Sequence, residues 1–181
     1  RAKTDPEAAA EYEAFLEGRR EAGRKYRAAQ KAKKEQQSLS VVLPEHDNDP
    51  TKEVADLGDG IICYTATMGG QPVGYAVKAG CTDGYNGLVE VLTGFMPNGD
   101  IINTQATVLA ETPGLGMKAA EPQYHDQYNG QTPERFKVQV KKDGGDIDAI
   151  TASTITSRAY TLAVANAAKV AAGLQDKEAT K

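Results

Sequence analysis

The sequence lacks the residues and segments on which several classes of protein depend. Of its 181 residues none is Trp, and only two are Cys and two are His. No apolar run approaches the roughly 18–20 residues that a membrane-spanning helix requires, and no signal peptide is visible. No GxGxxG motif accompanies an alternation of strands and helices, so the sequence does not indicate a Rossmann nucleotide site.

The few cysteines and histidines argue against metal and hydrolytic chemistry. Cys63 and Cys81 have neither CxxC spacing nor a nearby pair of histidines, so a metal site is not indicated. The two thiols are either joined in a disulfide or free, and the sequence leaves both open. His46 and His125 stand alone, and the sequence supports neither a catalytic triad nor a glycosidase pair of carboxylates.

Charge is spread unevenly along the chain. The net charge of -4 gives no case for nucleic-acid binding. Residues 1–37 hold ten Lys and Arg against seven Asp and Glu, which leaves the remainder with a net charge of -7. An acidic body therefore carries a mildly basic arm.

Residues 5–37 have the composition of a solvated helix. They are rich in Ala, Glu, Lys, Arg and Gln, which are good helix formers. Thr4 and Asp5 are N-cap types, and Pro6 suits a first turn. The apolar stripe is thin and glycines interrupt it. We therefore predict one long helix or two shorter ones, exposed as a stalk or partner-binding arm.

The middle of the chain has the pattern of consecutive antiparallel hairpins. Turn formers stand at Gly69-Gly70 and at Pro97-Asn98-Gly99, between runs rich in apolar and β-branched residues. A further alternating run, FKVQVKK, precedes a DGG turn. Strands are therefore predicted at residues 60–67, 72–79, 87–94, 100–110 and 136–142.

Helical signals return towards the end of the chain. Residues 123–130 are predicted as a helical turn, and 154–172 as a helix that Gly173 ends. The predicted fold class is α+β, an antiparallel β-meander sheet packed with helices. The predicted divisions are a helical arm at 1–37, a domain at 38–175 and a disordered tail at 176–181.

The stretch DAITASTITSR, residues 148–158, places five hydroxyl side chains at the start of the last helix. A first helical turn exposes unpaired N–H groups and the positive end of the helix dipole, both of which favour a phosphate. One hydroxyl suffices for capping. The residues alone leave two interpretations open, an N-cap with solvated threonines or a phosphate site. The hydroxyls belong to Thr151, Ser153, Thr154, Thr156 and Ser157.

Two further motifs precede this stretch. In ETPGLG, residues 111–116, the glycines either let a ligand lie against the backbone with Leu115 over a flat ring, or form a turn with Leu115 in the core. In KKDGGDID the aspartates suggest calcium, but their spacing does not match the EF-hand loop. A turn followed by a carboxylate that shapes the loop, Asp148, explains this segment better.

Together these motifs resemble a known family. DGGDIDAITASTITSRA resembles the flavin-attachment region of the FMN-binding domain in the G subunit of the Rnf electron-transport complex, and the C subunit of the sodium-translocating NADH:quinone reductase carries a related domain. GYAV, GYNGLVEVLTGFMPNGDI and ETPGLG support the resemblance in the family's order, and SLSVVLPEHDNDP resembles the segment ahead of the first strand. The resemblance covers residues 38–172.

The resemblance implies a covalent cofactor. In that family FMN is bound through its phosphate as an ester of a threonine hydroxyl, and a flavin transferase installs it with FAD as donor. The family pattern is an Asp followed by Ser/Thr-Gly-Ala-Ser/Thr. Asp148 matches the Asp, Thr151 the first hydroxyl and Thr154 the acceptor. Ala152 and Ser153 stand where the family has Gly and Ala, which makes Ser153 a minor competing acceptor.

The resemblance also implies which residues surround the flavin ring. Leu115 is expected against the face of the ring, and Lys118 is expected to stabilise the reduced anionic flavin. The other expected ring contacts are Glu111, Thr112, Gly114 and Gly116, and Ile150 is expected among the residues that bind the cofactor.

For the whole protein, the resemblance implies an electron-carrying subunit of a membrane ion-translocating complex, with the other subunits as partners. The family's G subunit begins with one transmembrane helix and lies on the extracytoplasmic, periplasmic side of the membrane. We expect that anchor upstream of Arg1, with residues 1–37 as a juxtamembrane stalk. Two alternatives stay open: the FMN domain of a stand-alone extracytoplasmic reductase, and an interaction module that keeps the fold without flavin.

Overall fold

The computed structural model of the chain describes residues 6–178. Its contacts divide the chain into two compact units, Arg1–Gln37 and Ser38–Lys181. In the described part of the chain, no helix is both long and apolar enough to cross a membrane.

The chain begins with one helix, α1, which spans Pro6–Val42. Its side chains up to residue 37 are mostly exposed, and they include the aromatic rings of Tyr12, Phe15 and Tyr26. Ion pairs between neighbouring turns, such as that of Glu17 with Arg24, line the surface, although each such exposed pair contributes little stability. The solvated helix is thus confirmed as one element. The predicted N-cap residues Thr4 and Asp5 lie outside the described residues.

The second unit is built on a five-stranded antiparallel sheet with the strand order β1-β2-β3-β4-β5. Each strand pairs with the next along the chain, which confirms the predicted meander. Gly69 and Gly70, both at positive φ, make the tight turn between β2 and β3. The strands are β1 (Val54–Asp56), β2 (Ile62–Met68), β3 (Gln71–Gly84), β4 (Gly87–Phe95) and β5 (Ile101–Leu109).

One face of the sheet carries the last helix, α3, which spans Thr154–Glu178. It packs against β3 and β4. Small residues of α3, among them Ala159, Ala163 and Ala167, are buried at intervals of one turn, which lets the helix lie close to the sheet. The core that results is continuous with the valines of β3 and β4 and with Phe95.

The other face of the sheet is covered by the end of α1. Leu39, Val42 and Leu43 are buried there against Tyr64 and the neighbouring small residues of β2 and β3. A glycine at position 94 in β4 is required for this packing, because a Cβ atom there would overlap the carbonyl oxygen of Val42.

Between β5 and α3 the chain forms short turns and only brief helices. Helix α2 (Pro122–His125) and the 3-10 turn Asp126–Tyr128 that follows it confirm the helical turn predicted at 123–130. They bury Tyr124 and Tyr128 against Tyr160 of α3, with the rings of Tyr124 and Tyr160 edge to face at 5.3 Å. Burial raises the pKa of Tyr124 to about 12.

The prediction of a strand at residues 136–142 is wrong. This segment has only an isolated bridge between Val140 and Ile147, followed by the 3-10 turn Lys141–Asp143. The alternation that suggested a strand is real in terms of burial, since Phe136, Val138 and Val140 are buried or half-buried in the core. The segment runs past α3 rather than along a strand. Its alternating apolar side chains therefore face a helix instead of a neighbouring strand.

Two predicted ends also differ. Gly173 does not end α3, because the helix continues to Glu178 through residues that are good helix formers. Residues 176–178 of the predicted disordered tail are therefore helical, and residues 179–181 lie outside the described residues. Strand β1 was not predicted, since it is a three-residue edge strand with exposed side chains and gives no alternating signal.

The two cysteines are both buried and free. Cys63 of β2 lies opposite Val77 and Cys81 of β3 lies opposite Val89, so the sheet register keeps the two thiols apart. Burial raises the pKa of the Cys63 thiol to about 11, so the reactive thiolate is scarce at neutral pH.

We predict that Gly94→Ala destabilises the second unit by about 1–3 kcal/mol, because the added methyl must displace the end of α1 from the sheet. Chemical unfolding measures the effect. Gly173→Ala is the matched control: nothing lies within 4 Å of its Cβ position, and a helical Gly-to-Ala change should stabilise by up to about 1 kcal/mol. Equal effects of the two substitutions would contradict the packing described here.

Candidate functional site

The candidate site is built on the turn that leads into α3. The backbone N–H of Ser153 donates to the carbonyl oxygen of Ile150 at 3.0 Å, and α3 begins at the next residue, Thr154. Ala152 has φ +61°, in the left-handed region that a side chain disfavours. This backbone conformation gives a physical reason why glycine suits the position, and Ala152 adopts it at a cost.

Ser157 holds this turn from within the helix. Its Oγ accepts from the backbone N–H of Ile150 at 2.9 Å and donates to the carbonyl oxygen of Ser153 at 3.0 Å. Ser157 is completely buried, and the Tyr124 hydroxyl donates to its carbonyl oxygen at 3.2 Å. The turn and the first residues of α3 are therefore fixed as one piece.

The ETPGLG loop packs directly on the same helical turn. The backbone N–H groups of Leu115 and Met117 both donate to the carbonyl oxygen of Thr112, which folds the loop back on itself. A Cβ atom at position 116 would lie 2.7 Å from Thr156 Oγ1 and 2.7 Å from Glu111 Cβ. Gly116 is thus needed for the loop to approach α3 this closely.

The loop and the helix enclose a cavity of about 550 Å³. Thr154 is half-buried at its wall, whereas Ser153 and Thr156 are buried. Leu115 is 41% exposed, so its side chain lies at the cavity and outside the core. The lining residues are Tyr85, Glu111, Thr112, Leu115, Gly116, Ala152, Ser153, Thr154, Ile155 and Thr156.

The other predicted site residues lie around a second, smaller cavity of about 260 Å³. Lys118, Asp148, Ile150 and Thr151 line it, together with Tyr124 and Gln127. Gln127 holds this side of the turn, since its Oε1 accepts from the backbone N–H of Asp148 at 2.8 Å and its Nε2 donates to the Asp148 carbonyl oxygen. The predicted set is therefore divided between the two sides of the turn, and Gly114 lines neither cavity.

Two residues at the larger cavity were not singled out as site residues from the sequence. Tyr85, 69% exposed, lies between β3 and β4, and nothing in the sequence signalled its proximity to the helix. Ile155 belongs to the first turn of α3, where the sequence did not specify the direction of its side chain. Thr156, one of the hydroxyls noted in the sequence, lines the same cavity.

The aspartates of KKDGGDID each have a separate partner. Asp143 accepts from Arg158 Nε and Nη2, both at 2.7 Å. Asp146 accepts from the backbone N–H of Lys137, and Asp148 pairs with Lys141 at 2.7 Å. In the described part of the chain, no group of three or more His, Cys, Asp or Glu could hold a metal ion.

The bond with Arg158 tethers the turn to α3. It lowers the pKa of the Asp143 carboxyl, with the charges of Arg158 and Lys142 acting in the same direction. A carboxyl whose pKa is lowered on folding adds stability above its unfolded pKa and loses it as the pH falls through the folded value. The tether is therefore intact at neutral pH and is released only in acid, below the ordinary carboxyl range.

A lysine of the described residues contacts the predicted acceptor hydroxyl. Lys142 Nζ donates to Thr154 Oγ1 at 3.3 Å from the 3-10 turn Lys141–Asp143. The sequence showed this residue only as one of two adjacent lysines before a DGG turn, with no signal that it would face α3.

The residues that form the candidate site fall within a match to a known protein family. The FMN-binding domain family matches residues 84–169, a range that contains the Tyr85 turn, the ETPGLG loop and the start of α3. The part of the chain that forms the candidate site is thus the part that matches the FMN-binding domain family.

Relatives extend the match to most of the chain. The G subunit of the ion-translocating oxidoreductase complex of Shewanella baltica is 36% identical in an alignment of 152 positions that covers 74% of this chain and 72% of the relative. The G subunit of the Na(+)-translocating ferredoxin:NAD(+) oxidoreductase complex of Acetobacterium woodii is 45% identical in an alignment of 105 positions that covers 56% of this chain and 50% of the relative. The chain belongs to the family formed by the G subunits of ion-translocating oxidoreductase complexes.

Among solved structures, the C subunit of the Na(+)-translocating NADH-quinone reductase from Parabacteroides distasonis aligns with a TM-score of 0.47 and 21% identity. The alignment covers 68% of this chain and 67% of that chain.

We predict that Ala152→Gly stabilises the protein by up to about 1 kcal/mol. It removes left-handed strain of about 1–2 kcal/mol, which exceeds the added entropy of the unfolded chain, about 0.4–1 kcal/mol. Urea unfolding tests this against Ala165→Gly in the middle of α3, which should lose about 0.5–1 kcal/mol. A loss at position 152 as large as that at 165 would refute the account of the turn.

Proposed function

We propose that the protein is an electron-carrying flavoprotein subunit of a membrane ion-translocating complex, with FMN bound through a phosphoester to Thr154. The observation that supports this most directly is the convergence of two separate motifs on one cavity. The ETPGLG loop and the hydroxyl-rich turn are distant in sequence, yet both line the same space, with Thr154 at its wall.

The residues around this cavity fit the two ends of a flavin nucleotide. Its volume of about 550 Å³ lies within the range of small-molecule sites, roughly 300–1,000 Å³. Leu115, Ile155 and Tyr85 supply apolar and aromatic surface for a flat ring. At the other end, the first N–H groups of α3 have no partner within the helix by position, and Lys142 adds a cation beside Thr154.

The flavin supplies the capacity to accept and release one or two electrons, and the chain's own residues hold it in place. A phosphodiester on Thr154 keeps one negative charge, which the positive end of the helix dipole and the Lys142 ammonium stabilise. A covalent tether also keeps the group at high effective concentration. Leu115 and Tyr85 are exposed, so this site suits a bound ring that must remain accessible to a partner protein.

Maturation belongs to the same proposal. Thr154 Oγ1 gains the phosphoryl bond when a flavin transferase acts with FAD as donor. Thr154 is half-buried and lies at the cavity wall, whereas Ser153 and Thr156 are less than one tenth exposed. Ser157 is fully buried and engaged by the backbone of the turn. These differences in access support Thr154 over Ser153 as the acceptor.

We further propose the cellular setting. The complex names of the relatives support other subunits of an Rnf-type complex as partners. We place the domain on the extracytoplasmic face of the membrane, with an anchor upstream of Arg1 and residues 1–37 as a juxtamembrane arm. The domain itself comprises residues 38–175 in this proposal.

We predict that coexpression with a flavin transferase in an exporting host adds one FMN moiety to the intact mass, and that Thr154→Ala abolishes it. Thr154→Ser is the matched control, because it keeps the hydroxyl and should keep the adduct. Ser153→Ala should also keep it. An unmodified wild-type chain, or an adduct that survives Thr154→Ala, would refute the assignment, and the first result would favour a flavin-free module.

A further inference from the structure

Lys142 is presented to the start of α3 by a turn that is fixed on both sides. The 3-10 turn Lys141–Asp143 ends at Gly144, whose φ of +85° reverses the chain. Arg158 of α3 binds both carboxylate oxygens of Asp143 at 2.7 Å, and the backbone N–H of Lys141 donates to the carbonyl oxygen of Ile147. The fold therefore fixes the backbone position of Lys142, and only its side chain is flexible.

The two adjacent lysines have different partners. Lys141 Nζ pairs with the Asp148 carboxylate at 2.7 Å, so its charge is compensated. Lys142 Nζ donates to the neutral Thr154 Oγ1 at 3.3 Å. The nearby Asp143 carboxylate has both of its oxygens engaged by Arg158. The charge of Lys142 also acts on Asp143, but its ammonium forms no ion pair with a described residue and is therefore available to an incoming anion.

The other hydroxyls of the cluster are less suited to accept a phosphoryl group. Ser153 is 8% exposed and Thr156 is 2% exposed. Thr151 is exposed but lines the smaller cavity on the opposite side of the turn. Accessibility alone would therefore leave Thr151 and Thr154 as competitors, and the ammonium distinguishes between them.

We propose that Lys142 is the specificity-determining residue of flavin attachment: its ammonium selects Thr154 Oγ1 as the acceptor and stabilises the phosphoryl oxygens during transfer. This inference rests on the proposed function and adds a residue to it. Because Lys142 contacts the reacting oxygen, it acts on the chemistry directly.

The transfer step balances as a substitution at phosphorus. Thr154 Oγ1 forms a bond to the phosphorus of the FMN half of FAD, and the P–O bond to the AMP half breaks. AMP leaves with the electron pair, and the threonine proton passes to solvent or to a base of the transferase. A protonated lysine is a donor without an acceptor lone pair, so the role of Lys142 is to offset charge on the phosphoryl oxygens and not to remove the proton.

The test measures the rate of modification by purified transferase with FAD, using the full chain in apo form. Lys142→Met removes the charge at similar length, and it should lower kcat about tenfold. This is less than the loss of a buried donor to a developing anion, because Lys142 is exposed to solvent. Lys142→Arg keeps the charge and should retain most of the rate.

Lys169→Met is the matched control. This substitution also removes one positive charge, from a position in α3 that lies 15 residues beyond Thr154. The Lys169→Met chain should be modified at the wild-type rate. Peptide mapping by mass spectrometry adds a second readout, in which Lys142→Met should show a larger share of its remaining adduct on Thr151 or Ser153. Thermal unfolding should be unchanged in all three variants, since the affected side chains are exposed.

The outcomes distinguish a failure of the role proposed for Lys142 from a failure of the proposed function. A Lys142→Met chain that is modified at the wild-type rate and only on Thr154 overturns the proposal while leaving the proposed function intact. An effect confined to KM for the protein would make Lys142 a contact of the transferase and would also overturn it. A wild-type chain that takes no FMN overturns both.

Discussion

The close approach of Gly116 to Thr156 is the constraint on which the candidate site depends. The loop after β5 and the first turn of α3 lie about forty residues apart in the sequence. They form a common cavity because position 116 has no side chain to separate them. The sheet and its packing against α3 set the two segments in the same region, and this single contact sets their distance.

Around that contact, the turn before α3 is held in two physically different ways. Inside, buried neutral hydrogen bonds through Ser157 and Tyr124 fix the backbone. Outside, exposed ion pairs of Asp143 and Asp148 hold the preceding segment. Exposed ion pairs weaken with salt, whereas buried hydrogen bonds do not respond to it in this way. The shape of the turn and the placement of the lysines above it therefore depend on different conditions.

The architecture was readable from the sequence where local chemistry decides it. Glycine-rich turns such as Gly69-Gly70 and alternating runs defined the meander, because a two-residue turn joins neighbouring antiparallel strands. Residues 136–142 show the limit of this reasoning. Their alternation reports burial on one side of an extended segment, and a helix surface satisfies that requirement as well as a sheet does. The continuation of α3 past Gly173 likewise depends on the residues around the glycine rather than on the glycine itself.

The candidate site was predictable in its two segments and not in their geometry. ETPGLG and the hydroxyl cluster carry local signals of loop and helix start. Tyr85 and Lys142 carry none, because each reaches the site through tertiary packing. Thr151 lines a different cavity from Thr154 because residues three apart around a turn point in different directions, and sequence spacing alone does not specify those directions.

The order of the elements along the chain has a consequence for biosynthesis. The meander and the ETPGLG loop leave the ribosome before α3 does, and the turn at Thr154 acquires its partners only when α3 docks on the finished sheet. If Thr154 carries the cofactor, a transferase that recognises the shaped turn would meet its substrate only after the whole second unit has folded. Only correctly folded chains would then receive the cofactor, and misfolded chains would stay unmodified.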